Sequence, residues 1–169
     1  TVSMFENNEI ILKTAEEIFP DHPTIISTRL SLDGSSFSAK ELGLYLPLAK
    51  QFSASYEFLF TLANIYRKQL RSEISIPLYF SCLSSGYSLN STYTDVLINI
   101  AEQFYYLGYY EEALHCMQSN IIDEDKNLRY QHALLRGRCL REMFYFEAAA
   151  HAFKKLYDEG FIFAKTEMA

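Results

Sequence analysis

The sequence predicts an all-α chain of stacked antiparallel helix hairpins, and three observations carry that prediction. Apolar residues recur three and four apart through most of the chain, which is the helical period. Small residues recur in register: Ala63, Ala101 and Gly137, then Ser75, Ala113 and Ala149 twelve positions on. Bulky residues follow at fixed offsets, Tyr66, Phe104 and Leu140 after the first set and Tyr79, Met117 and Phe153 after the second. The unit-to-unit separations, read from Ala63, Ala101 and Gly137, are 38 and then 36 residues. A small residue in one helix lets its neighbour approach, and the bulky residues fill the space between pairs. Each hairpin leaves an apolar face that only a stacked neighbour covers.

Taken in order, residues 1–54 form an N-terminal helical region, either degenerate hairpins or a cap. Glu6–Ile18 has helical spacing and stops near Pro20. Asp21 is placed to cap a helix with Pro23 in its first turn, running to about Leu32. SLDGSS reads as a loop. Ser38 and Glu41 form an S-x-x-E capping box for a further helix, bent or broken near Pro47. Residues 55–169 hold three units, about 56–89, 94–127 and 130–163, and a C-terminal segment.

In the first unit Pro77 falls where the second helix should already run. The expectation is a late start, with Ser75 as N-cap and Pro77 in the first turn. LGYY and EMFYFE mark the turns of units two and three. Extra residues fall near Tyr87–Thr94 and Ile121–Asn127. After the third unit, Phe161, Ile162 and Phe163 need cover, from a further helix folded back, from a partner or from a second copy.

These units resemble the tetratricopeptide repeat family, whose pattern places small and aromatic residues in the first helix and A-x-x-x-F in the second. Ala101, Phe104, Gly108, Tyr110 and Ala113 match best, followed by Gly137, Ala149 and Phe153. Ser75 and Pro77 depart from the pattern, and the usual proline after the second helix is absent from all three units. The likeness covers about 56–163. It implies a right-handed α-solenoid whose first helices line a concave groove.

Composition narrows the function classes. The 169 residues carry a net charge of −6, with 13 Tyr, 13 Phe and no Trp. An acidic chain argues against a duplex nucleic-acid surface, which needs a basic face. No stretch is apolar and long enough for a membrane span. Glu6, Glu9, Glu16, Glu17 and Asp21 in the first thirty residues are unlike a secretory leader. Thr1 at the start fits a fragment or a trimmed chain. Cys82, Cys116 and Cys139, odd in number and widely spaced, read as reduced core thiols of an intracellular protein, cytoplasmic or nuclear.

Catalytic and metal-binding patterns are absent from the sequence. Neither His115 beside Cys116 nor His132 before Cys139 builds a zinc ligand set, and His22 and His151 stand alone. No GxSxG, phosphate loop or HExxH occurs, so the reading is a non-enzyme without cofactor. The Asp123-Glu124-Asp125 run reads as a solvated turn rather than a calcium loop. Arg138 and Arg141 share a helix face and Arg136 points elsewhere. The pair reads either as a soluble exterior or as a clamp for an acidic segment.

Carried over by register, the groove of the resemblance comprises Glu57, Phe60, Asn64, Arg67 and Lys68 in unit one. Unit two offers Asp95, Ile98, Glu102, Tyr105 and Tyr106, and unit three Gln131, Leu134, Arg138, Arg141 and Glu142. Asn64 and Asn99 occupy the asparagine places of the family's C-terminal carboxylate clamp, but Phe60, Gln131 and Leu135 replace its cations. That clamp is therefore rejected, with both asparagines expected to bond backbone or solvent. The resemblance implies a scaffold holding a partner peptide or helix, as a subunit or domain of a multi-subunit assembly. Repeat subunits of the anaphase-promoting ubiquitin ligase and of the RNA polymerase III initiation factor have similar spacing. Alternatives are a type III secretion translocator chaperone and a peptide-sensing regulator. A homodimer through the terminal helices is a further expectation.

Overall fold

The computed structural model describes residues 4–34, 36–85, 91–118 and 126–167. All regular structure among the described residues is helical, and the helices pack in neighbouring pairs. The chain divides into two compact units, 1–87 and 88–169.

Unit 1 holds α1 (Met4–Ile18), α2 (Pro23–Asp33), α3 (Ala39–Gly43), α4 (Leu46–Gln51), α5 (Tyr56–Lys68) and α6 (Ser72–Ser84). The Ser38–Glu41 capping box is formed: the Ser38 amide donates to Glu41 Oε2 at 2.7 Å, and the Glu41 amide to Ser38 Oγ at 3.3 Å. The chain breaks between α3 and α4, with Pro47 in the first turn of α4. Three expectations change here. His22, not Asp21, is the N-cap of α2, and no side chain caps it. Ser31–Asp33 of the SLDGSS stretch remain helical, because Leu30 anchors α2 in the core. Gly34 then lets α2 lie close to α5, since a Cβ there would fall 2.3 Å from Ile65 Cδ1. Arg29 ties α2 back to α1, bonding Glu16 at 2.8 Å and Glu9 at 3.1 Å.

The third correction concerns α6. It starts at Ser72 rather than late; Ser75 is fully buried rather than a cap, and Pro77 sits in the second turn with its ring exposed. The preceding turn fixes the start, with the Arg71 amide donating to the Tyr66 carbonyl at 2.9 Å. Helical register then buries Ser75, Leu78, Tyr79 and Cys82 as α6 packs against α5, with the Tyr79 ring centroid 6.0 Å from that of Phe60. Pro77 removes one amide donor, and the Glu73 carbonyl it would have served belongs to an exposed residue of the first turn.

Unit 2 holds α7 (Ser91–Tyr106), α8 (Tyr110–Cys116), α9 (Lys126–Glu142), α10 (Phe146–Asp158) and α11 (Ala164–Glu167). Ala101, Ala113 and Met117 pack with Leu135 and Cys139 of α9 in one core cluster. Ala149, Phe153, Leu156 and Ala164 form a second, flanked by Tyr130, Leu140 and Phe161. Both alanines of the pair Ala101 and Ala113 are completely buried. At Gly137 a Cβ would lie 2.4 Å from Phe153 Cε1, so the Phe153 ring occupies the space that a side chain would need.

The turns of the three pairs share one geometry. Leu70, Gly108 and Phe144 each lie seven residues past the first small residue, and each is left-handed, with φ of 58°, 82° and 65°. Their amides donate to Arg67, Tyr105 and Arg141 carbonyls at 2.9, 3.0 and 2.9 Å. The next amides, Arg71, Tyr109 and Tyr145, reach back to Tyr66, Phe104 and Leu140 at 2.9, 2.8 and 2.9 Å. This is a Schellman motif three times over. It recurs after α10 at Gly160, φ 97°, where the Phe161 amide bonds the Leu156 carbonyl at 3.1 Å. The extra residues expected near Tyr87–Thr94 and Ile121–Asn127 lie mostly outside the described residues, as does the whole Asp123-Glu124-Asp125 run; Thr94 and Asn127 are helical.

Candidate functional site

The Schellman turn at Gly160 sends the chain back over α9. Phe161 stacks on Tyr130 with ring centroids 4.2 Å apart, and Ala164 is fully buried, so α11 is seated. That covers part of the Phe161–Phe163 run by a folded-back helix, while Ile162 and Phe163 stay exposed. Seating α11 brings Glu167 over Arg138 and Arg141. Arg138 Nε donates to Glu167 Oε1 at 2.9 Å, with a second bond from its Nη2 to the same oxygen. Arg141 Nη1 donates to Glu167 Oε2 at 2.9 Å. One carboxylate is thus held through both oxygens by two guanidinium groups.

The electrostatics follow from that geometry. The Glu167 side chain is 14% exposed. Hydrogen bonding from Arg138 holds its carboxyl below the usual range, against the opposing effect of burial. Arg138 is raised in turn, chiefly by Glu167. Arg141 also approaches Glu142 at 3.6 Å and lies 5.9 Å from the centre of the Phe153 ring. Burial raises the Tyr105 hydroxyl, and Glu142, Arg141 and Arg138 all act on it, so Tyr105 belongs to the same neighbourhood. The arrangement holds a carboxylate, that of the chain's own Glu167.

The other groove candidates lie as follows. Tyr106 is exposed beside Tyr105, with ring centroids 5.7 Å apart. Tyr105 is half-buried and packs against the Ala101–Ala113 core, so it supports the fold as well as the site. Ile98 is buried, and Leu134 packs in the Phe153 cluster. Glu57 and Gln131 are exposed and Glu102 half-buried, while Asp95 accepts from Asn99 Nδ2 at 3.3 Å. In unit 1, Phe60 stacks on Tyr56 at 5.3 Å, Arg67 is half-buried and Lys68 is exposed. The asparagines correct an expectation. Asn64 Oδ1 accepts from the buried Tyr79 hydroxyl at 2.7 Å, and Asn99 bonds a carboxylate, so side chains rather than backbone or solvent partner both.

Glu167 was missing from the sequence reading. Its only signal is the demand of two adjacent arginines for a carboxylate, which does not say which one. The cysteines show no activation: burial pushes the Cys82 thiol up to about 12 and Cys139 to about 11. No protein-family profile matches this sequence, and no curated protein matches it significantly.

Proposed function

We propose that this chain is a non-enzymatic protein-interaction scaffold, a tetratricopeptide-like solenoid serving as a subunit or domain of a larger assembly. Its unit 2 binding face centres on Arg138 and Arg141, with Tyr106 beside them, and takes a carboxylate from a partner peptide or helix. The supporting observation is Glu167, which sits on that arginine pair as a stand-in for the partner's acidic side chain. Membership of an assembly draws on exposed apolar residues such as Ile162 and Phe163, 73% and 78% exposed, which a partner surface would cover.

The test is affinity capture with quantitative mass spectrometry, run on the wild-type chain, on Arg138→Gln with Arg141→Gln, and on Glu167→Gln. The proposal expects a defined partner set that the double variant loses while it still unfolds cooperatively, whereas Glu167→Gln breaks the same ion pairs and so controls for their share of stability. Glu167→Gln should enrich the same set, because the internal competitor is weakened. Equal capture by wild type and the double variant refutes the arginine face.

A further inference from the structure

A second charged surface lies on a different face of α9, between α9 and α10. It is a cleft of about 560 Å³, the size of an ordinary ligand site. Lys126, Arg129 and Arg136 line it from α9 and Lys155 from α10, against one carboxylate among the described residues, Glu159. The whole chain is net −6, so this concentration of cations runs against the protein's own field. Among the described residues no carboxylate pairs with Arg129, Arg136 or Lys155, whereas Arg138 and Arg141 on the neighbouring face are neutralised. Leu140, Leu156 and the stacked Tyr130–Phe161 pair add apolar groups to the lining.

The spacing of the cations chooses the ligand. Lys126 to Arg136 spans ten residues of helix, about 15 Å along the axis. One phosphate or one carboxylate cannot reach both ends. An extended chain covers that length in about five residues at ~3.3 Å each. We infer that the α9–α10 cleft is a second binding site, for an acidic peptide segment of about five residues carrying an apolar side chain. Distributed carboxylates meet the row of cations, and the apolar residue settles on Leu140 and Leu156. The site is separate from the Arg138–Arg141 face and stands whether or not that face binds a partner.

The test uses the full chain labelled with ¹⁵N and titrated in about 0.15 M salt, where exposed charges are screened beyond ~8 Å. The probe is the capped hexapeptide Glu-Asp-Leu-Glu-Asp-Leu. The comparison ligands are the same peptide with lysine at the acidic positions, inorganic pyrophosphate and an eight-nucleotide oligothymidylate. Saturable shifts should concentrate at the amides of Arg129, Arg136 and Lys155, for the acidic peptide alone. Arg129→Glu with Arg136→Glu, both exposed, should weaken binding by about ten-fold or more and leave the melting temperature unchanged. Arg138→Gln with Arg141→Gln should leave it within about two-fold. The inference is overturned by no saturable shift, by shifts centred on Arg138 and Glu167, by equal binding of the Arg129/Arg136 variant, or by the pyrophosphate or oligonucleotide binding in place of the peptide.

Discussion

The turn between α7 and α8 and the turn between α9 and α10 have the same backbone and different residues. Gly108 takes the left-handed position in the first, where an added Cβ would meet nothing within 4 Å. Phe144 takes it in the second, bulky, 78% exposed and in a conformation that disfavours it. Both turns close with the same two hydrogen bonds. The turn is therefore imposed by the helices on either side, which small residues draw together, and the residue at its apex adapts or bears the strain. A repeat defined in this way keeps its geometry while its motif fades.

The largest effect should come from overfilling the small positions, which tests whether the two pairs are one kind of unit. Gly137→Leu drives a side chain into Phe153, and Ala101→Leu overfills the cluster of Ala113, Met117, Leu135 and Cys139. Each should cost about 3 kcal/mol in urea denaturation, and Ala113→Phe about 1–3 kcal/mol. A large cost at one site and none at the other would separate the pairs.

The α5–α6 pair extends the comparison. Tyr79→Phe removes the bond to Asn64 inside a buried contact and should cost about 1 kcal/mol by the same measurement. A pH effect probes the seam between the two unit 2 pairs. His132 of α9 donates Nε2–H to the Met117 carbonyl at the end of α8, at 3.0 Å. Burial lowers its pKa from the ordinary 6.5, and Arg136 adds to that, outweighing the Met117 bond. The unfolded chain therefore binds the proton more readily than the folded one. Stability should be complete above pH 6.5 and should decline as the pH falls through the lowered folded value. His132→Gln should flatten that decline in melting temperature, and an unaltered slope would assign it to other groups.

How much of this was legible in the sequence depends on the range of the interaction. Helical periods and the buried small residues at 63, 101 and 137 are local and repeated, so they could be read directly. The Ser38–Glu41 capping box was readable for the same reason. Pro77 misled, because the first-turn rule for proline was overruled by the turn at Arg71, which starts α6 at Ser72 and so buries Ser75 and Tyr79. Leu70 and Phe144 gave no sign of a left-handed turn, since neither residue type favours it. Arg138 and Arg141 were legible as a pair, but their occupant lies 26 residues beyond Arg141 and reaches them only through the fold. The Lys126–Arg136–Lys155 cleft needed two helices placed side by side before its charges became neighbours.

The claim that backbone geometry, not residue identity, defines the repeat is tested most directly at the turn apex. Urea denaturation of Leu70→Gly, Phe144→Gly and Gly108→Leu should be compared with the parent chain. Relief of left-handed strain is worth about 1–2 kcal/mol, and glycine's added freedom in the unfolded chain returns about 0.4–1 kcal/mol of it. Leu70→Gly and Phe144→Gly should each raise stability by about 0.5–1 kcal/mol, and Gly108→Leu should lower it by a similar amount. Destabilisation by Phe144→Gly, or indifference to Gly108→Leu, would contradict the shared turn.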